Sequence, residues 1–361
     1  MIRSAVALAL LVTVGAVPAA TAQRTLPPAA HSCAPSDGLN YICGPVASED
    51  LARVPGTRWL VTSGMNVGEP ARLYLIDSRT KRATSLFPTD KPVMQLDAAL
   101  RTGCTGPPRL EKMSTDGINM RAGRNRQHLL YAANHGDRDA IEIFRIDARG
   151  LVPKAAWTGC VPMPPGTLAN AVVPVADGGL LISSFYDPGD KEAWVRMNRG
   201  ENTGSLWEWH AGSGMRRLEI GGISGANGIE TSADGNTLYA SAWSGRELLV
   251  LDRRTGAQRR IALDFLPDNI KRAPDGTLFV GGQRSSVARI AACTGPDCPQ
   301  DWIIACVDPV SGRVTPLITR PGNALINYAC GAVEVDGTLY ITARGDRRLA
   351  FLPLASLPSL R

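Results

Sequence analysis

Short runs of alternating apolar and polar residues, bounded by Gly, Asp, Asn or Pro, fill most of the chain, and almost none keeps a helical period over three turns. Alternation of period two in runs of that length marks half-buried strands. Four runs open on nearly the same turn: DGGLL at Asp177–Leu181, DGNTLY at Asp234–Tyr239, DGTLF at Asp275–Phe279 and DGTLY at Asp336–Tyr340. Asp-Gly before a β-rich run is a hairpin signal, because both residues tolerate positive φ. Weaker versions at Pro55–Val61 and Asn125–Tyr131 bring the units to six.

After most hairpins comes a second alternating strand and a second turn, as in Leu248–Asp252 followed by Gln258–Leu263, with counterparts at Leu73–Asp77, Ile141–Asp147, Leu206–His210 and Trp302–Asp308. Counting the strand ahead of each hairpin, one unit holds four short antiparallel strands, the content of one propeller blade. The expected fold is all-β: a six-bladed β-propeller with four-stranded antiparallel blades. The last unit has strands at Gly331–Val335, Thr338–Ala343 and Arg348–Leu354 but little chain beyond. An N-terminal strand is expected to supply the fourth and close the ring, leaving no open blade edge. The long intervals Pro88–Glu111, Asp187–Gly204 and Ala292–Trp302 read as loops on the two faces.

Composition narrows the class. The 361 residues are 44% hydrophobic and 20% charged, which supports a large core and excludes broad disorder. Lys and Arg outnumber Asp and Glu by 39 to 33 without clustering, which argues against a nucleic-acid partner. The apolar run Ala5–Val17, after Arg3 and before the small residues up to Ala22, has the form of a secretory signal peptide. Residues 1–22 are therefore expected to be removed, leaving 23–361 as a propeller catalytic domain in the periplasm or outside the cell. No later segment reaches the ~18 apolar residues of a membrane span, so no stable membrane insertion is expected. The eight cysteines read as disulfides in such a compartment, with Cys33–Cys43 and Cys293–Cys298 the shortest closures. With no CxxC pair and only four histidines, a thiolate zinc site is disfavoured.

The candidate chemistry lies where each innermost strand should begin, some way upstream of its hairpin. Those positions hold Glu49 and Asp50, Asp116, Asn170, Asn227, then Asp268 and Asn269. First strands of propeller blades line the central channel, so these side chains are expected to converge at one mouth. Carboxylate and amide oxygens without thiolate or imidazole suit Ca²⁺, which takes about 6 to 8 oxygen ligands. His135, beyond the second hairpin strand and expected near Asp116, is a candidate acid or base. His128 reads as a surface residue and His210 as part of an edge strand. Ser224 lacks a Gly-x-Ser-x-Gly setting and reads as a turn former. Among the tryptophans Trp157, Trp207, Trp209 and Trp243, only Trp243 is suspected as a ligand wall.

These segments together resemble the paraoxonase-type arylesterase and lactonase family, within the six-bladed propeller group that includes the gluconolactonases. The resemblance rests on SEDL at Ser48–Leu51, DGI at Asp116–Ile118, YAANH at Tyr131–His135, LANAVV at Leu168–Val173, ANGI at Ala226–Ile229 and LPDNI at Leu266–Ile270. It implies a catalytic Ca²⁺ held by Glu49, Asn170, Asn227, Asp268 and Asn269, and a second, structural Ca²⁺ held by Asp50 and the carbonyl of Ile118. Ala171 stands where the family carries an aspartate, which removes a ligand from that second ion. Asp116 stands where animal members carry a histidine, so His135 would act with Asp116 rather than with a second histidine. The implied reaction is hydrolysis of a small-molecule lactone or aryl ester. Ca²⁺ would polarise the carbonyl and stabilise the oxyanion; His135 or a carboxylate among Asp116, Asp268 and Glu49 would activate water, or Asp268 would attack directly. Two alternatives stay open: other metal-assisted chemistry, such as a sugar-acid lactonase or an addition or elimination enzyme, and a non-catalytic propeller binding a protein or cell-envelope ligand.

Overall fold

The computed structural model describes residues 33–100, 103–104, 106–292, 298–345 and 347–357; the expected signal peptide, 1–22, lies outside them. Strands follow one another at the spacing the turns impose, and they assemble into six sheets around an axis. Blades 1 to 6 begin with the inner strands Ser48–Arg53, Thr115–Arg121, Ala169–Pro174, Ala226–Thr231, Leu266–Arg272 and Ala329–Val335. Successive strands within each blade pair antiparallel toward the outside. The architecture is an all-β six-bladed propeller whose blades are built on four antiparallel strands.

Side-chain packing joins the blades. Each strand presents alternate residues to the two neighbouring sheets, so the apolar positions form clusters between blades. Trp59 and Phe87 of blade 1 meet Phe144 and Trp157 of blade 2 in one cluster, with the Phe87 and Phe144 rings edge to face at 4.8 Å. Burying one such large side chain contributes roughly 1.5–3 kcal/mol. The Trp157 indole N–H, fully buried, donates to Glu142 Oε2 at 2.8 Å, so Trp157 is core rather than ligand wall.

The expected closure of the ring needs correction. The N-terminal strand Asn40–Cys43 pairs with Arg348–Pro353 as the outermost strand of blade 6. Among the described residues the six sheets remain separate hydrogen-bonded units, and no strand pairing runs from one blade into the next. Blade edges are therefore not abolished. Blade 2 also exceeds four strands, because Val93–Met94, from the interval after blade 1, adds parallel to Lys154–Pro162.

Disulfides Cys33–Cys43 and Cys104–Cys160 are present, and Cys298 is also disulfide-bonded, while Cys293 lies outside the described residues. Cys306 and Cys330 are free and buried, against the expectation that disulfides account for every cysteine. Among the described residues no helix is long and apolar enough to cross a membrane.

Candidate metal centre and catalytic site

Every inner strand slips register near its start, and the slipped residues are the candidate ligands. The shifts fall between Ser48 and Leu51, Thr115 and Ile118, Ala169 and Ala171, Ala226 and Ile229, Pro267 and Ile270, and Ala329 and Gly331. A bulge frees its residues from the ladder and re-aims their side chains. Six bulges at one height thus turn Glu49, Asp116, Asn170, Asn227, Asp268 and Cys330 toward the axis. Gly228 is part of this device rather than of a tight turn: a Cβ there would lie 2.5 Å from the carbonyl oxygen of Asp268 on the next blade. The sixth position is a thiol, so the cluster is not purely oxygen. Ligand atoms of Glu49, Asp268 and Cys330 all lie within 4.8 Å of one another.

The polar groups here are buried and only partly satisfied. Glu49 Oε2, Asp116 Oδ1, Asn170 Oδ1 and Asn227 Oδ1 make no hydrogen bond. Buried oxygens without partners are costly, and oxygens from four blades facing one space fit a hard cation. The remaining atoms are held in place. Asn269 Nδ2 donates to Glu49 Oε1 at 2.8 Å, Asn170 Nδ2 to Asp116 Oδ2 at 3.3 Å, and Gln283 Nε2 to Asp268 Oδ2 at 2.8 Å.

Burial governs the protonation of this cluster. It lifts Glu49 well above the carboxylate range, with the charges of Asp116, Asp268 and Asp50 adding to the rise. Burial likewise raises Asp116 and Asp268 to about 7, while the nearby charge of Arg344 pulls both down. The Cys330 thiol is pushed up by burial and by Asp268 and Glu49. His135 moves the other way: burial favours its neutral form, against the carboxylate of Asp139. Its Nε2 lies 3.1 Å from Asp116 Oδ2, although the pair is not aligned as a hydrogen bond.

Deeper in the channel Asp50 and the Ile118 carbonyl come together as expected, but around a lysine. Lys271 Nζ donates to Asp50 Oδ2 and to Ile118 O, each at 2.7 Å. The Ile118 N–H also donates to Asp50 Oδ2 at 2.8 Å. Burial raises the Asp50 pKa, and the Lys271 ammonium works against that rise.

Above the ligand ring opens a cavity of about 430 Å³. Asp116, His135, Asn170 and Asn227 contribute to its polar side, and Phe185, Tyr186, Trp194 and Trp243 to its apolar side. The four rings meet edge to face at centroid distances of 5.5–6.3 Å. Trp194 sits on the short helix Ala193–Asn198, so part of the interval Asp187–Gly204 walls the cavity. Gln283 couples wall to floor, accepting from Trp243 Nε1 at 2.9 Å while donating to Asp268.

Residue-type reasoning missed Gln283, Cys330, Tyr328, Arg344 and Lys271; the signal for Cys330 is its place at the start of the last inner strand, Ala329–Val335, where the other five blades carry their candidates. Other readings need revision as well. His128 is buried, with Nδ1 accepting from the Gly123 N–H at 3.2 Å, and is not a surface residue. Ser224 donates to the Glu201 carbonyl at 2.8 Å, 23 positions away, so its hydroxyl ties two distant segments together and forms no local turn bond.

No protein-family model matches the chain, and no curated protein does. Solved structures do match. A gluconolactonase from Xanthomonas campestris aligns with TM-score 0.54 and 21% identity over 89% of each chain. A luciferin-regenerating enzyme aligns with TM-score 0.53 and 16% identity, covering 86% of this chain and 93% of its own. Regucalcin from Agrobacterium tumefaciens, described as a calcium-binding protein, aligns with TM-score 0.51 and 14% identity over 86% and 90%. At these identities the likeness establishes the shared six-bladed propeller fold.

Proposed function

We propose that this chain is a divalent-metal-dependent hydrolase of small lactones or aryl esters, using a single Ca²⁺ at the channel mouth and working in the periplasm or outside the cell. One observation carries the reading: unpartnered buried oxygens of Asp116, Asn170 and Asn227, from three blades, line one cavity floor, and a fourth, on Glu49, is buried close enough to Asp116 and Asp268 to feel their charges. Glu49, Asn170, Asn227 and Asp268 would hold the ion, with Asn269 orienting Glu49. A bound Ca²⁺ supplies Lewis acidity to an ester carbonyl and to the charge that develops on its oxygen.

The protein's own groups do the rest. Asp116 and His135 form the base: water adds to the acyl carbon, its proton passes to this pair, and the acyl–oxygen bond to the alcohol breaks. The pair then returns the proton to the departing alkoxide. Gln283 fixes Asp268, and the aromatic wall keeps bulk water off the reacting bond. Lys271 takes the place of a second ion, because its ammonium already satisfies Asp50 and the Ile118 carbonyl. The gluconolactonase and luciferin-regenerating folds are in keeping with this reading.

The test is a panel of lactones and aryl esters assayed with Ca²⁺, after chelation and after Ca²⁺ return. Activity should vanish on chelation and recover, and Asn227→Ala should weaken metal binding and turnover together by about 10–100-fold. Full activity in metal-free protein would reject the proposal.

A further inference from the structure

Most arginines near the cavity face or the blade edges are paired: Arg138 with Glu142, Arg196 with Asp190, Arg253 with Glu208 and Arg347 with Glu69. Arg344 is not. It follows the second strand of blade 6, Thr338–Ala343, and lines the same cavity as Asp116 and His135. Among the described residues its guanidinium makes neither hydrogen bond nor ion pair. What holds it is the face of Tyr328, with the guanidinium carbon 4.9 Å from the ring centroid. Tyr328 has φ of 62°, a left-handed conformation that a bulky side chain rarely adopts. That strained backbone carries the ring on which the arginine rests, and the Arg344 N–H donates to the Tyr328 carbonyl at 3.3 Å.

A buried acidic cluster could account for a nearby cation as its counter-ion. Here no carboxylate of a described residue reaches ion-pair distance of Arg344, though its charge is felt at Asp116 and Asp268. Once a divalent cation balances Glu49 and Asp268, the guanidinium is left with up to five unsatisfied donors facing the cavity. A guanidinium in that state matches a carboxylate, which it binds through two parallel hydrogen bonds. One positive charge suits a monoanion better than a dianionic phosphate, which Asp116 would repel.

We propose that Arg344 selects substrates bearing a carboxylate, placed so that the ester or lactone carbonyl meets the ligand ring while an apolar body lies against Phe185, Trp194 and Trp243. This inference rests on the hydrolase reading for its substrate class; its binding part stands alone.

The test has two arms. In the first, 4-nitrophenyl hemiglutarate and 4-nitrophenyl pentanoate, which differ by one carboxylate, are hydrolysed by wild type, Arg344→Met and Arg344→Lys with Ca²⁺ present. The wild-type ratio of kcat/KM should favour the carboxylated ester by about 10-fold or more, fall to near one in Arg344→Met and lie between in Arg344→Lys. In the second, benzoate and benzyl alcohol are titrated against tryptophan fluorescence, with thermal melts checking that the variants fold. Benzoate should bind wild type and lose about 10-fold or more in affinity in Arg344→Met, while benzyl alcohol shows no such difference. A wild-type preference for the neutral ester, or benzoate binding equal in wild type and Arg344→Met, would overturn the proposal. If neither ester is hydrolysed while benzoate binding still depends on Arg344, the hydrolase reading fails and the carboxylate site stands.

Discussion

At the scale of single residues, the channel mouth is a set of groups whose protonation is set by burial. Asp116 and Asp268 titrate at about 7 in the folded, metal-free protein and near ~4 when unfolded. Between those values the native chain holds protons that the unfolded chain has released, so stability falls as pH rises. Melts of chelated protein should show Tm declining from about pH 5 to about pH 8, and saturating Ca²⁺ should remove the decline; a Tm that rises over that window contradicts the assignment. Lys271 gives a second check. Lys271→Ala leaves Asp50 buried without its cation and should cost about 3–5 kcal/mol. Calorimetry should then count two Ca²⁺ per variant chain against one in wild type, with part of the lost Tm restored; one ion and no recovery would refute the exchange of ammonium for metal. The candidate oxygen ligands were legible because Asp and Asn recur in short segments at strand starts. Lys271 was not, since its role depends on Asp50, 221 positions away in sequence. Ala171, where the resemblance implies an aspartate, is the part of the proposed exchange that a sequence can carry.

At the scale of the element, the inner strands do more than line a channel. Their alternation and turns could be read from the pattern, and so could their number. The bulges could not, because a register slip depends on the partner strand and on the neighbouring blade. Gly228 is an example: the glycine is needed for the close approach of Asp268 on the next blade and not for a positive φ, and nothing in the Asn-Gly pair itself shows that approach. Gly228→Ala should therefore destabilise by about 1–3 kcal/mol, and it should weaken Ca²⁺ binding as well, because Asp268 and Asn269 must move. A variant with unchanged Tm and unchanged Ca²⁺ affinity would show that the approach is not tight. The same logic explains Cys330, which occupies the blade 6 bulge where the other blades carry oxygen donors.

At the scale of the molecule, the ring is six sheets held by apolar contacts between them, with the N-terminal strand as the outer member of blade 6. Its consequence for function is convergence: residues far apart in sequence meet on one axis beneath one cavity. The outer additions, such as Val93–Met94 on blade 2, were invisible in the pattern because a two-residue parallel strand carries no periodicity. The most direct measurement of the central claim is a crystal structure of the protein grown in saturating Ca²⁺, with the metal identified by anomalous scattering. The account predicts one ion about 2.3–2.6 Å from oxygens of Glu49, Asn170, Asn227 and Asp268, and the Lys271 ammonium still between Asp50 and Ile118. A channel mouth without metal under those conditions would contradict it.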